Sequence, residues 1–174
     1  EVGRSQGGNN NSWCQDSPLS WMVWNDDHCD LELKRFLQRL LKLRAALPQL
    51  FNPVVPPREI RRKPVEPPSG LWRQWHGVEL GKPDWAAWSR TAAMSLHHDS
   101  DGALLWIGFN AYSDALDFAL PAPASAWRCV INTGLGPADD FPATPTPCEG
   151  TSLELSSRSL VLLLAEQLAE DLNF

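Results

Sequence analysis

At 174 residues the chain is long enough for one full domain and a short additional segment. Hydrophobic residues make up 43% and charged residues 21%, the composition of a folded globular protein, which excludes wholesale disorder. The net charge of −6 excludes the basic footprint of a nucleic-acid binder and suits an uncharged substrate.

Taken in chain order, residues 1–24 read as a loop centred on Gly7-Gly8-Asn9-Asn10-Asn11, because glycine and asparagine tolerate positive φ and asparagine bonds back to nearby backbone. A helix is predicted from Asp30 to Leu47. Leu33, Phe36, Leu37, Leu40, Leu43 and Leu47 recur at spacings of three and four, Asp30 is a ready N-cap, and Pro48 stops the run. Residues Asn52 to Pro68 hold six prolines and the basic cluster Arg58, Arg61, Arg62 and Lys63, a linker or surface loop whose charges are read as a solvated face. Short apolar segments then follow at Ala92–Leu96, Leu104–Asn110, Leu116–Leu120, Trp127–Asn132, Ser152–Leu155 and Ser159–Leu164, separated by turn residues in the manner of a β-sandwich. The last run is ambiguous between strand and helix; a strand to about Ala165 followed by a helical or frayed tail is the expectation.

The longest apolar run, Leu160 to Ala165, is six residues, far short of the roughly 18 that a membrane span needs. No membrane partner is expected, and the first residues carry no signal-peptide core. A start at Glu1 without methionine reads as a piece of a longer reading frame. Cys14, Cys29, Cys129 and Cys148 show no C-x-x-C spacing, so reduced thiols in a cytoplasmic protein are expected, with no zinc and no cofactor. His28, His97 and His98 read as exposed loop residues.

The stretch Glu1-Val2-Gly3-Arg4-Ser5-Gln6-Gly7-Gly8-Asn9-Asn10-Asn11-Ser12-Trp13-Cys14-Gln15-Asp16 resembles the segment G-D-E-x-G-x-S/T-x-G-G-N-N-N-x-Y/W-C-x-D of isoamylases and glycogen debranching enzymes, members of glycoside hydrolase family 13. In that family the segment follows the eighth strand of a (β/α)8 barrel. Leu41-Lys42-Leu43-Arg44-Ala45-Ala46-Leu47-Pro48 is similar to the end of the last barrel helix. Gln74-Trp75-His76-Gly77-Val78, Pro83-Asp84-Trp85 and Leu105-Trp106-Ile107-Gly108-Phe109-Asn110-Ala111 are similar to segments of the same enzymes' C-terminal sandwich. The resemblance implies a mainly β fold, with an antiparallel β-sandwich over residues 53–174 preceded by the last loop and helix of the barrel over residues 1–52. It implies hydrolysis of α-1,6 branch linkages in glycogen or amylopectin, the branched α-glucan that would be the partner of the full-length enzyme.

Retaining glycoside hydrolysis needs two carboxyl groups about 5–5.5 Å apart, placed in barrels on loops after different strands. The resemblance puts all of them upstream of Glu1, so no catalytic residue is assigned here. The opening loop would face the active site. Arg4, Asn9, Asn10, Asn11 and Asp16 either bond sugar hydroxyls or close turns and cap amides, and Trp13 either stacks on a glucosyl ring or packs against the barrel rim. Nine tryptophans invite a glycan-binding reading of the sandwich. Trp106 and Trp127 fall in strand-like segments and read as core, whereas Trp72, Trp75, Trp85 and Trp88 lie in less regular sequence. Three functions are therefore weighed: part of a debranching hydrolase, a free glycan-binding module, and a non-catalytic relative that binds a partner. The apolar stripe of the Asp30–Leu47 helix, without a barrel wall to cover, is expected to make the chain self-associate.

Overall fold

The computed structural model describes residues 3, 5–23, 30–51, 70–98, 102–170 and 172. The proline-rich segment from Asn52 to Pro68, with its basic cluster, lies outside the described residues, as do Arg4 and His28. The chain divides into two compact units, Glu1–Ala46 and Leu47–Phe174.

The first unit holds the opening loop and α1 (Leu31–Ala46). The Asp30 Oδ1 accepts the Leu33 N–H at 2.9 Å, so the expected cap satisfies one of the amides that a helix start leaves without a partner. Leu43 is buried, Phe36 and Leu37 are half-buried, and Leu31, Leu33, Leu40 and Leu41 are exposed. The helix ends at Ala46, ahead of Pro48 as expected. That proline also opens the short helix α2 (Pro48–Phe51) of the second unit, since its fixed φ suits a first helical turn and its missing N–H costs nothing there.

The second unit is built from β1 (Leu71–His76), β2 (Thr91–His98), β3 (Gly102–Asn110), β4 (Leu116–Ala119), β5 (Trp127–Asn132), β6 (Thr146–Cys148), β7 (Ser152–Leu155) and β8 (Ser159–Ala165), closed by α3 (Glu166–Ala169). A six-stranded sheet has the order β1-β2-β3-β8-β5-β6, and β4 pairs with β7 in a second, two-stranded sheet. Every pairing between named strands is antiparallel. This is the expected mainly β, sandwich-type fold, and the predicted strands coincide with β2, β3, β4, β5, β7 and β8.

One core joins the sheets. Ala93, Ala103, Trp106, Trp127, Val161 and Leu163 meet Phe118 and Leu155 of the small sheet, with Leu120 beside them, and Trp106 touches Phe118 edge to face with ring centroids 6.0 Å apart. The Trp106 ring lies across its own strand over Gly108. A Cβ at Gly108 would stand 2.3 Å from the ring's Cη2, so only glycine lets the indole lie there. Strand β8 sits between β3 and β5, covered on both faces, which is why it is a continuous apolar run rather than an alternating one. The half-exposed ion pair between Arg128 and Glu166 ties β5 to the first residue of α3.

Sequence reasoning passed over two strands. Strand β6 carries Pro147, which the outermost position tolerates because no further ladder bond is needed there. Strand β1 carries Trp72 and Trp75, so these tryptophans lie in regular structure, contrary to expectation.

Candidate functional site

In the opening loop the sequence-predicted residues fall together, from Asn9 to Asp16, while Arg4 is outside the described residues. Gly7 and Gly8 take φ of 58° and 84°, the left-handed values that put glycine there. Asn9 shapes the turn. Its Oδ1 accepts the Asn11 N–H at 2.9 Å, its Nδ2 donates to the Gln15 Oε1 at 3.3 Å, and its own N–H donates to the Gln6 carbonyl at 3.0 Å. The Asp16 Oδ1 accepts the indole N–H of Trp21 at 2.7 Å. Asn10 and Asn11 are exposed, and Trp13 presents 93% of its surface.

On the second unit, the feature that sequence reasoning missed is a buried polar chain under the β1–β2 connection. The Gly81 N–H donates to His76 Nδ1 at 2.8 Å, so the proton of a neutral His76 sits on Nε2, which faces the Ser95 Oγ at 2.7 Å. The Ser95 hydroxyl then donates onward to His97 Nε2 at 2.6 Å. His97 is stacked on Trp72, centroids 4.1 Å apart and planes 6° from parallel. The expectation of exposed loop histidines is thus corrected: His97 is buried and His98 half-buried, both on β2, because their strand is second in the sheet and β1 covers it. No local pattern signalled this, because Leu71-Trp72-Arg73-Gln74-Trp75-His76 mixes apolar and polar residues on both faces of its strand.

Burial holds the His76 pKa below its ordinary 6.5. A protonated His76 would set Nδ1–H against the Gly81 N–H, so the fold prefers the neutral ring. A base whose folded pKa is depressed contributes fully above its unfolded pKa, and that contribution is lost as pH falls through 6.5 toward the folded value. Urea unfolding should therefore show a less stable protein at pH 5.5 than at pH 7.5, and a smaller difference for His76→Gln. An equal difference in both proteins would remove His76 as its source.

The same histidine anchors the 77–90 connection. A Cβ at Gly77 would stand 2.6 Å from the Lys82 carbonyl oxygen, so the loop folds back on itself with no room for a side chain. The Ala119 N–H donates to the Val78 carbonyl at 2.8 Å, the Ala86 N–H to Asp84 Oδ1 at 3.0 Å, and the Ser89 N–H to the Ala86 carbonyl at 2.9 Å. At the end of β3, Asn110 ties the loop that follows it to the end of β7. Its Nδ2 donates to the carbonyls of Asp114, Leu155 and Ser156 at 2.9, 3.0 and 3.0 Å, while its Oδ1 accepts the Tyr112 N–H at 3.0 Å.

Two half-buried thiols, Cys129 and Cys148, are held in their protonated form. Burial, and the neighbouring Cys148 after it, push the Cys129 thiol up to about 12, and burial raises Cys148 as well. Among the described residues no cluster of histidine, cysteine and carboxylate groups could hold a metal ion, and no helix is long and apolar enough to cross a membrane.

The family model described as "Isoamylase 1-3, C-terminal" matches residues 74–154, which takes in the His76 chain, the 77–90 connection and Asn110. Residues 74–154 are thus similar to the C-terminal region of isoamylases. The chain is 28% identical over 161 residues to the rice protein "Isoamylase 1, chloroplastic", covering 92% of this chain and 18% of that one. Identity is again 28%, over 178 residues, with the Mycobacterium tuberculosis "Glycogen operon protein GlgX homolog", covering 94% and 24%. Over 50 residues identity reaches 48% with a "Glycogen debranching enzyme" of Pectobacterium atrosepticum, covering 29% of this chain and 7% of the relative. The chain thus spans less than a quarter of the length of each of these three relatives.

Proposed function

We propose that the chain serves an enzyme that hydrolyses α-1,6 branch linkages of a glycogen- or starch-like glucan, as its C-terminal region and without contributing the catalytic carboxylates. The observation that carries this reading is the isoamylase match over residues 74–154. The Asn9–Asn11 turn and the name of the Pectobacterium relative add support. In this reading residues 1–52 finish a barrel and residues 53–174 form the sandwich. Asn10, Asn11 and Trp13 then face the glucan, because they are exposed, whereas Asn9 and Asp16 hold the loop in shape through their hydrogen bonds. Arg4 belongs to the same proposed set. The compartment is cytoplasmic, no cofactor takes part, and Cys14, Cys129 and Cys148 are free thiols.

Incubating the purified chain with amylopectin and measuring reducing ends tests the reading. Release at the level of buffer is expected. Turnover that disappears when an acidic residue of this chain is changed would put the active site here and overturn the proposal. For the parent activity, the reading frame upstream of Glu1 is expected to encode F-x-x-x-H-D and two further acidic motifs; a frame lacking them would refute it.

A further inference from the structure

We propose that Trp85 and Trp88 form a binding platform for a linear α-1,4-linked glucan arm, an inference that rests on the proposed glucan substrate. Both indoles stand out in water, Trp85 at 65% and Trp88 at 80% exposure. Exposed indoles are costly to leave in water, and they are the side chains best suited to cover the apolar face of a sugar ring. They are also three residues apart in one braced turn. The Asp84 carboxylate accepts the Ala86 N–H, the Ser89 N–H closes the turn on the Ala86 carbonyl, and Gly81 upstream is pinned to the buried His76. Trp75, on β1, meets Trp85 edge-on with ring centroids 5.4 Å apart and planes at 77°, which supports that ring from one side.

A weak ligand such as a glucan gains most from a surface that is already in its bound shape, because little ordering entropy is left to lose on binding. The surroundings suit hydroxyl groups. Asp84 and Arg90, close to the two tryptophans in sequence, are exposed, and Glu79 and Lys82 pair with one another at 2.6 Å, so the loop presents hydrogen-bonding groups of both signs. A neutral polyhydroxyl chain fits this better than a polyanion. Val78 and Leu80 are also exposed in the same connection. A protein surface is the rival occupant, and the experiment separates the two.

Affinity electrophoresis of the purified chain through gels containing glycogen, amylopectin or, as control, β-1,4-linked xylan tests the platform, with sedimentation in parallel. The unmodified chain should be retarded by the α-glucans. Trp85→Ala and Trp88→Ala should each weaken retardation about tenfold, near the effect of losing one stacked ring, while Trp88→Phe keeps most of it. Thermal melting should be unchanged for the Trp88 variants, since that side chain is largely in water. Four outcomes overturn the proposal. Absence of retardation removes the platform, and retardation that ignores both alanine changes moves glucan binding elsewhere while leaving the debranching reading intact. Platform-dependent retardation on xylan alone removes the α-glucan reading itself, and a fall in sedimenting mass without a change in retardation makes the face a protein contact.

Discussion

Replacing Asn110 by aspartate is expected to destabilise the second unit by about 4 kcal/mol at neutral pH. The Asn110 amide is 1% exposed, and its Nδ2 group serves the carbonyls of Asp114, Leu155 and Ser156 at once. An aspartate there turns the donor into an acceptor, so a buried negative charge faces carbonyl dipoles of the same sign. The sign of the pH dependence follows. Such a carboxyl is harder to ionise folded than unfolded, so its stability is retained below the ordinary aspartate pKa of about 3.9 and lost as pH rises through the raised folded value. Asn110→Ala should cost about 3 kcal/mol with no new pH dependence, because it strands the carbonyls without adding charge. Urea titrations of both variants at pH 4.5 and 7.5 check this. An aspartate variant as stable as the parent at pH 7.5 would show that the amide does not hold the 112–114 loop to Leu155 and Ser156.

Changing Leu33 and Leu40 of α1 to glutamate is expected to convert a self-associating chain into a monomer. The two leucines are 42% and 38% exposed and lie seven residues apart on the predicted stripe, with Leu37, half-buried, between them. Burying a leucine contributes roughly 1.5–3 kcal/mol, so two of them removed from a contact weaken association by about 3–6 kcal/mol, two to four orders of magnitude. Because both side chains already touch water, the double change leaves no cavity in the fold. Sedimentation velocity at several concentrations decides. If the unmodified chain runs as a monomer throughout, this helix face is not an association surface.

The sequence alone determined the helix from Asp30 and six of the strands, because each depends on local regularities: leucines at helical spacing behind a capping aspartate, and apolar segments cut by turn residues. It also carried the isoamylase resemblance, since the Gly-Gly-Asn-Asn-Asn loop and the Trp-His-Gly and Pro-Asp-Trp segments are contiguous in the chain. What it left open in the run Leu160–Leu164 was decided by place: a strand flanked by β3 and β5 is apolar on both faces, so its period carries no signal. The same holds for the functional surface. His76 meets Ser95 nineteen positions away, and Asn110 reaches Leu155 and Ser156 across 45 and 46, through pairings that no local pattern encodes. Nor does composition tell a core tryptophan from a platform. Trp106 and Trp88 are the same residue type, and only the packing of two sheets around one, and its absence around the other, leaves the first fully buried and the second in water.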